Sequence, residues 1–440
     1  MVHTFEYKNE YFALDVQSGS VLAVDKSAYE AIGVLCRLDN IDAALASNSD
    51  DPIYAQIREL RDEGLLFSAE EQCEQAEPSV IKAMCLHLAH DCNLRCEYCF
   101  AKGGAFDGKR ELMSVGVAKA AIDYLVAASG SRRNLEIDFF GGEPLLNFGV
   151  LKQTVEYARS IEVQNEKNFR FTVTTNGYKI TDEMERYLNE NMDNLVISID
   201  GREQVHDATR KTVGGKGSYA RVVENAKKLT LNRQGEYYVR GTFTADNLDF
   251  ASDVLHVADL GFYGVSIEPV VTTMDNAIKR EHLDAIYTEY ERLADEYVKR
   301  EKQGDGFVFF HFMVDLTGGP CRKKRIRGCG AGTEYIAVAP NGDIYPCHQF
   351  VQQYEYKMGS VFETGLDSEI AKQFDDADIY HIEGCSECWA KYYCSGGCVA
   401  ANQSVNGDML KRYEIGCDMQ KKRLEIAIGM EAKRKQECEL

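Results

Sequence analysis

The first 75 residues alternate apolar and polar positions and then change to a helical period. In "YFALDV", Phe12, Leu14 and Val16 fall on one face, and "SVLAV" continues the alternation after a turn. Ser27 and Glu30 have the spacing of a capping box, which predicts the start of a helix, and a second amphipathic helix follows. Short strands and then helices are therefore predicted, as a separate α+β unit over residues 1–75 that ends in an acidic linker.

From about residue 80 to 305, short β-rich runs alternate with stretches of helical or loop character. The runs are "IKAMCLHLA", "LEIDFF", "FRFTVTTN", "LVISID", "YYVRGTFT" and "GVSIEPV". These units predict an α/β fold in which right-handed crossovers wind a parallel sheet into a closed or partial (β/α)6 barrel over residues 76–305. In such a fold the chemistry is expected at the C-terminal ends of the strands.

Residues 306–440 differ in composition and are predicted to form a third domain. "TEYIAVAPNGDIYPC" predicts a hairpin that turns at Asn341 and Gly342. The final segment, "KKRLEIAIGMEAKRKQECEL", is a charged amphipathic helix, which is typical of a packed or frayed terminus.

Composition and net charge indicate the class of protein, its location and the partners to expect. The 440 residues are 45% hydrophobic and 27% charged, as expected for a globular protein of two or three domains. No apolar run approaches the ~20 residues of a membrane span, and the N-terminus lacks the layout of a signal peptide, so a cytoplasmic location without a membrane partner is expected. The net charge of -20 argues against nucleic-acid binding.

Fifteen cysteines are unusual for a cytoplasmic protein, where thiols stay reduced, and metal or cluster ligation explains them better than disulfides. Cys92, Cys96 and Cys99 follow the first barrel run with three and then two intervening residues. A structural zinc site is the plain alternative, but such sites use four protein ligands, and no fourth ligand follows at a usual spacing. A cubane [4Fe-4S] cluster on three thiols would leave one iron open to a small molecule.

This C-x3-C-x2-C motif, with Tyr98 before its last cysteine, resembles that of the radical S-adenosylmethionine (SAM) superfamily. The resemblance implies a [4Fe-4S] cluster on Cys92, Cys96 and Cys99 whose open iron chelates SAM. It also implies that an electron from the cluster cleaves SAM to methionine and a 5'-deoxyadenosyl radical. An external one-electron donor of the flavodoxin or ferredoxin type is then expected as a partner.

A glycine pair stands at the end of the second barrel run. "FFGGEP" supplies Gly141, Gly142 and Glu143; the glycines let backbone approach a ligand, and Glu143 could meet an ammonium group. The resemblance implies that this segment contacts the amino group of SAM. The alternative for the glycines is an ordinary turn.

Polar residues also end the fourth run. "SIDG" supplies Ser198 and Asp200, and "HDATR" adds Arg210, whose guanidinium suits a carboxylate. By resemblance these residues bind SAM, whereas singly they would be read as a helix cap or a surface ion pair. Their order at successive strand ends favours the SAM site. His206, beside Asp207, is more typical of a structural histidine.

The C-terminal third contains a second cysteine series. The series consists of Cys329, Cys347, Cys385, Cys388, Cys394, Cys398 and Cys417, and the motif also includes Gly342 between the first two cysteines. This order resembles the SPASM extension of radical SAM enzymes that modify peptides and proteins. A generic C-x2-C favours zinc, but seven cysteines so arranged do not.

With Cys321 this series has eight thiols, enough for two fully ligated [4Fe-4S] clusters and thus for three clusters in the chain. The family connectivity implies a first auxiliary cluster on Cys329, Cys347 and Cys398. It places the second auxiliary cluster on Cys385, Cys388, Cys394 and Cys417. Cys321 either completes the first auxiliary cluster or leaves it with an open iron that could bind and deprotonate a substrate thiol.

The remaining four cysteines have no predicted ligand role. Cys36 and Cys85 lie in apolar runs and are predicted to be small buried hydrophobic residues. Cys73 and Cys438 lie in polar segments.

The N-terminal unit resembles the winged-helix-like leader-recognition element of ribosomal peptide maturases, which bind an extended leader at a sheet edge. With the radical SAM and SPASM motifs, the chain most resembles the thioether-forming maturase of six-cysteine (SCIFF) peptides, of the sactipeptide synthase type. That family joins a Cys sulfur to the α-carbon of an acceptor such as Thr in a Cys-rich precursor peptide bound through its leader.

Two other functions fit parts of the sequence. An anaerobic sulfatase-type maturase, which makes formylglycine, or another SPASM peptide-modifying enzyme would use the same clusters. A zinc or iron scaffold that binds peptide without catalysis would need neither sulfide nor SAM.

Overall fold

The computed structural model describes residues 1–71, 73, 80–317 and 319–439, without the side chains of residues 436–439. The predicted boundary between residues 75 and 76, and most of the linker around it, lie outside the described residues. None of the described helices is both long and apolar enough to cross a membrane.

The N-terminal segment is a three-stranded antiparallel sheet followed by helices. Its elements are β1 (Val2–Tyr7), β2 (Glu10–Asp15), β3 (Val21–Val24), α1 (Lys26–Leu35), α2 (Ile41–Ser47) and α3 (Pro52–Asp62). The sheet order is β1-β2-β3. The predicted N-cap, Ser27, is wrong by two residues, because the Asp25 carboxylate caps the helix by accepting a hydrogen bond from Ala28 N.

The two faces of this small sheet pack differently. Ala13 faces a small core that the three helices complete. Phe12 and Leu14, the residues on the other face, belong to the main core of the molecule. The N-terminal unit is thus fused to the body of the protein along one face.

The middle of the chain alternates strands and helices. Its strands are β4 (Ala83–Ala89), β5 (Leu94–Cys96), β6 (Asn134–Gly141), β7 (Asn168–Thr175), β8 (Asn194–Ser198), β9 (Arg210–Thr212), β10 (Glu236–Phe243), β11 (Gly264–Pro269) and β12 (Val308–Phe309). Its helices are α4 (Val115–Ala128), α5 (Phe148–Asn165), α6 (Asp182–Asn191), α7 (Glu203–Thr209), α8 (Tyr219–Thr230), α9 (Phe250–Asp259) and α10 (Leu283–Gln303).

All six predicted barrel strands form, and they pair in parallel in the order β4-β6-β7-β8-β10-β11. Alternate residues such as Ile137, Phe171 and Val265 are fully buried in the core that the helices share. The partial (β/α)6 barrel predicted from the sequence is therefore confirmed.

The C-terminal third extends the same sheet. Its elements are α11 (Arg322–Arg325), β13 (Tyr335–Val338), β14 (Asp343–Tyr345), β15 (Gly359–Ser360), α12 (Ser368–Asp375), α13 (Lys391–Cys394), α14 (Val399–Asn406) and α15 (Glu414–Glu439). The predicted hairpin is β13–β14, and β13 pairs in parallel with β4, the first barrel strand. In a closed barrel the free edge of β4 would pair with the last barrel strand. Here β13 occupies that edge, so the barrel stays open.

The last helix is packed. Gly429 leaves room for the Tyr7 ring, and Lys433 Nζ lies 2.6 Å from the Glu10 carboxylate. The helix therefore fastens the N-terminal sheet to the barrel.

Candidate active site

The first three thiols lie on a loop that folds at the C-terminal end of β4. The Arg95 guanidinium donates hydrogen bonds to the carbonyls of Cys92 (2.7 Å) and Leu94 (2.6 Å) and so holds the loop together. Within it, Cys96 pairs with Arg210 in the two-stranded β5–β9 ribbon. The ribbon brings the predicted arginine next to the thiols.

The glycine pair after β6 allows two backbone segments to approach closely. A Cβ at Gly141 would lie 2.3 Å from the Ala89 carbonyl oxygen, and one at Gly142 would lie 2.3 Å from that of Asp91. Only glycine fits these positions. The direct reason for the pair is thus the packing of this loop against the thiol loop, in addition to the predicted approach to a ligand.

All three thiols line one cavity of about 140 Å³. Of the predicted SAM-site residues, Tyr98, Gly141, Gly142, Ser198 and Arg210 also line it. Glu143 and Asp200 stand behind this wall, where both are buried. The strand ends converge here, as the fold class predicts.

Burial makes two of these thiols, Cys92 and Cys96, hard to ionise without a cation. It raises the pKa of Cys92 to about 12, with smaller contributions from Glu143 and the other two thiols. It likewise raises the pKa of Cys96 to about 11, although the charge of Arg210 opposes the rise. The thiolates of Cys92 and Cys96 would be stable in this cavity only beside a positively charged group such as the core of an iron cluster.

The three thiols could hold a metal group in this cavity. Cys92, Cys96 and Cys99 line it together, and soft thiolates are the ligands that iron-sulfur clusters use.

Asp200 organises one side of the cavity. Its carboxylate accepts hydrogen bonds from Tyr98 Oη (2.6 Å) and Thr242 N (3.0 Å), and Arg210 Nε lies 3.0 Å away. Asp200 is fully buried, and Arg210 is nearly so. The carboxylate thus orients the predicted tyrosine and arginine, and Arg210 keeps its guanidinium along the cavity wall.

Glu143 has three protein partners. Its carboxylate accepts hydrogen bonds from Thr175 Oγ1 and Asn176 N, both 2.8 Å, and from Leu145 N at 3.1 Å. Burial raises its pKa to about 7, against the effect of these bonds. Contact between Glu143 and an amino group of SAM stays a prediction.

Asn176 is a site residue that was not predicted from the sequence. Its amide donates to Asn93 Oδ1 (2.7 Å) and lies 3.5 Å from Cys92 Sγ, and the residue lines the cavity. Asn176 directly follows β7, the third barrel strand. The rule that chemistry gathers at strand ends was therefore sufficient to find it.

His206 is structural, as its sequence context indicates. Its ring accepts a long hydrogen bond from Asp200 N (3.4 Å) and lies 2.9 Å from Ser218 Oγ. Burial lowers its pKa to about 4, so the ring is neutral near pH 7.

A second thiol group encloses a much smaller cavity of about 30 Å³. Its four thiols are Cys385, Cys388, Cys394 and Cys417. These are the four residues that the SPASM resemblance assigns to one auxiliary cluster. Lys391 lines the same cavity, and its buried ammonium pairs with Glu70 at 2.7 Å. This ion pair links the N-terminal unit to the second thiol group.

A third thiol group lies at the end of the β13–β14 hairpin. Burial raises the pKa of Cys347 to about 12, and the nearby thiols of Cys329 and Cys398 contribute to the rise. Cys321 is exposed at the start of α11.

The four unassigned cysteines have different environments. Cys85 is buried, as predicted. The expectation for Cys36 is wrong, because it caps the C-terminal end of α1 at the surface. Cys73 is half-buried, and its backbone N donates to Tyr380 Oη. The side chain of Cys438 lies outside the described residues.

Comparison with known proteins agrees with this geometry. The Radical SAM superfamily model matches residues 86–236, and the SPASM model, described as an iron-sulfur cluster-binding domain, matches residues 329–389. These ranges contain the first thiol group and, in the second range, Cys329, Cys347, Cys385 and Cys388.

Two curated relatives align with most of the chain. The cysteine-type anaerobic sulfatase-maturating enzyme of Clostridium novyi is 26% identical over 329 residues, 70% of this chain and 85% of that protein. The radical SAM cyclopropyl synthase TigE of Paramaledivibacter caminithermalis is 23% identical over 359 residues, 78% of this chain and 72% of that protein.

A solved structure, native anSMEcpe with bound AdoMet and Cp18Cys peptide, shares the fold. It has a TM-score of 0.66 at 20% identity, covering 79% of this chain and 97% of that one. The two matched domains imply [4Fe-4S] clusters and SAM as cofactors. The chain thus combines a radical SAM domain with a C-terminal SPASM domain.

Proposed function

We propose that this protein forms intramolecular thioether crosslinks, from Cys sulfur to α-carbon, in a ribosomally made Cys-rich precursor peptide. The observation that carries the proposal is the combination of a three-thiol cavity in the barrel, two further thiol groups beside it and a small sheet with open edges at the N-terminus. The enzyme would then be of the SCIFF maturase type.

The N-terminal unit would bind the leader. In the described residues, β1 and β3 each have one edge that pairs with no other strand. An extended peptide can add to such an edge through main-chain hydrogen bonds. Residues 1–75 would thus serve as the leader-recognition domain, residues 76–305 as the barrel and residues 306–440 as the SPASM domain.

The first site would supply the radical. Cys92, Cys96 and Cys99 would hold a [4Fe-4S] cluster, and SAM bound at its open iron would provide a 5'-deoxyadenosyl radical. The cavity wall would position SAM through Tyr98, Gly141, Gly142, Glu143, Ser198, Asp200 and Arg210. The electron would come from an external donor of the flavodoxin or ferredoxin type.

The remaining thiols would hold two auxiliary clusters, one on Cys385, Cys388, Cys394 and Cys417 and one on Cys329, Cys347 and Cys398. Crosslinking removes two hydrogens from the peptide. One leaves the acceptor α-carbon as a hydrogen atom and forms 5'-deoxyadenosine, and the substrate thiol loses the other as a proton. The surplus electron would go to the auxiliary cluster beside Cys347. An exposed Cys321 that does not ligate would leave that cluster an open iron for the thiol.

The named relatives support a peptide substrate and also a second candidate. One is a sulfatase-maturating enzyme, and the similar solved structure carries AdoMet and a peptide. A maturase that oxidises Cys or Ser to formylglycine therefore remains the alternative. The separate N-terminal sheet favours thioether formation, because a leader needs a place to bind.

The test uses reconstituted enzyme, dithionite, SAM and the Cys-rich peptide encoded nearest to this gene. We expect a product that has lost two hydrogens per crosslink and a slower reaction when the leader is removed from the peptide. Oxidation of one Cys to an aldehyde would instead favour the sulfatase-type reaction. No mass change on any Cys-rich peptide would contradict the proposal.

A further inference from the structure

The barrel strands are polar on the face that points away from the helices. Parallel strands covered on both faces are normally apolar throughout. Val239 of β10 and Ile267 of β11 are fully buried in the main core, but the residues that follow them, Arg240 and Glu268, face the other side of the sheet. Two opposite charges therefore stand on the inner face of adjacent strands.

Arg240 and Glu268 form an ion pair that is open to solvent. Arg240 Nη2 donates to Glu268 Oε2 at 2.9 Å, and the two side chains are 50% and 36% exposed. Pairs of this exposure contribute little to the stability of a fold. Stability therefore does not explain why two charges occupy the inside of the barrel.

The pair is next to the first cavity. Arg240 is the direct neighbour of Ser198 in the parallel β8–β10 register, so both side chains lie on the same face. Ser198 lines the cavity that contains the three thiols. One end of the ion pair thus borders the predicted SAM site.

The third thiol group is also close to the first cavity. His348 directly follows Cys347. Its ring centroid lies 5.0 Å from that of Phe140 and 5.6 Å from that of Phe100, and both phenylalanines line the first cavity. Through His348, the third thiol group therefore borders the same cavity as the Arg240–Glu268 pair.

A neutral histidine supports the carboxylate side. His311 Nε2 lies 3.2 Å from Ser266 Oγ and 3.9 Å from Glu268 Oε1. Burial holds the pKa of His311 well below its usual range, with smaller effects from Arg423 and Arg240. Glu268 thus has Arg240 as its cationic partner, and its other oxygen remains able to accept a hydrogen bond.

We infer that Arg240 and Glu268 form a binding site for the peptide backbone of the substrate between the two cluster sites. The guanidinium would donate to a peptide carbonyl, and the carboxylate would accept from a peptide N–H. The pair would hold the acceptor carbon toward the first cavity and the Cys sulfur toward Cys347. This inference rests on the proposed function and names two specificity-determining residues for it.

The test compares three holoenzyme variants: Arg240→Gln, Glu268→Gln and the control Arg170→Gln. Arg170 lies opposite Glu236, 3.6 Å away and with 49% exposure, near the other end of the same sheet. The probe is a fluorescently labelled synthetic peptide with six cysteines, intervening threonines and no leader. Its Kd is measured in the presence of SAM, and crosslinked product is counted per 5'-deoxyadenosine formed.

We expect the Kd to rise about tenfold in both Arg240→Gln and Glu268→Gln, with fewer crosslinks per deoxyadenosine. Arg170→Gln should match the wild type. Arg240→Lys keeps the charge but loses the planar fork, so its Kd should lie between those of the wild type and Arg240→Gln.

An unchanged Kd in Arg240→Gln and Glu268→Gln, or an equal change in Arg170→Gln, would overturn the inference. Wild-type enzyme that binds the peptide but makes no crosslink would contradict the proposed function alone. If Arg240→Gln makes as many crosslinks per 5'-deoxyadenosine as the wild type, the inference alone is contradicted.

Discussion

The first and second thiol groups differ in number and in the space that they enclose. Cys92, Cys96 and Cys99 line about 140 Å³, whereas Cys385, Cys388, Cys394 and Cys417 surround about 30 Å³. The first cavity is also lined by residues from the ends of several barrel strands, while the second is lined by the C-terminal domain alone. The difference indicates that the first group serves a site that admits a small molecule, and the second a closed site.

The largest predicted effect is the loss of SAM cleavage when a thiol of the first group, but not of the second, is removed. Cys96→Ala removes one of the three proposed ligands, so we expect SAM cleavage to fall at least about 10³-fold and about four of about twelve expected irons to be lost. Deoxyadenosine by chromatography and iron analysis measure these changes. The control is Cys36→Ala at the surface, which should retain both. Full iron content in Cys96→Ala would be evidence against a cluster there.

The next effect concerns the wall of the open site. Asp200→Asn leaves the nearly buried Arg210 without its counter-charge, so the free energy of unfolding should fall by about 3–5 kcal/mol. Ser198→Ala, on the same wall, should cost less than about 1 kcal/mol. Denaturant unfolding of both variants provides the comparison. Equal stability of the two would show that Asp200 does not organise the wall.

A third effect is a pH dependence inside the barrel. Burial raises the pKa of Asp138 to about 6, with a smaller effect of Glu136, against a hydrogen bond from Thr172. The folded state therefore binds this proton more tightly than the unfolded state does, and stability is lost as pH rises from about 4 to about 6. Asp138→Asn should remove that loss and stabilise the protein by about 2–3 kcal/mol at pH 7.5.

Denaturant unfolding of wild type and Asp138→Asn at pH 5 and pH 7.5 measures this effect. The advantage of the variant should be larger at the higher pH. A variant that is less stable at pH 7.5 would mean that the ionised carboxylate has a partner that the structure does not reveal.

The smallest predicted effect is a reduction in SAM cleavage when a supporting residue of the first site is changed. Asn176→Ala removes an amide that lies 3.5 Å from Cys92 Sγ and bonds to Asn93. Loss of such supporting contacts typically reduces metal-site function by about 10-fold or more. SAM cleavage should therefore drop by about 10-fold with iron content preserved. Thr174→Ser, which lines the same cavity, is the matched control.

The barrel strands could be predicted from the sequence because each is a short run bounded by turn signals. The thiol spacing likewise predicted which thiols line the first and second cavities together. The pairing of β13 with β4 could not be predicted from the sequence. The two strands are about 250 residues apart, and nothing in the local sequence specifies their register. The Cys36 environment was missed for a similar reason. Its apolar neighbours predict burial, but its position at a helix end determines exposure.

Within the site, residue types were more predictable than their contacts. The glycine pair was expected at a ligand, and the structure shows that Ala89 and Asp91 already require it. The Arg240–Glu268 pair had a signal that was overlooked, namely charged residues within otherwise apolar parallel strands. Such charges are costly to bury, so their presence in a barrel run indicates an open interior.

We expect SAM to bind at the first thiol group and at no other proposed cluster. Electron paramagnetic resonance of the dithionite-reduced holoenzyme, with and without SAM, tests this directly when repeated on the Cys92→Ala/Cys96→Ala/Cys99→Ala variant. We predict that SAM shifts one signal in the wild type and that the variant keeps auxiliary signals that do not respond. A SAM-induced shift in the variant, or no shift in the wild type, would contradict SAM binding at the first thiol group.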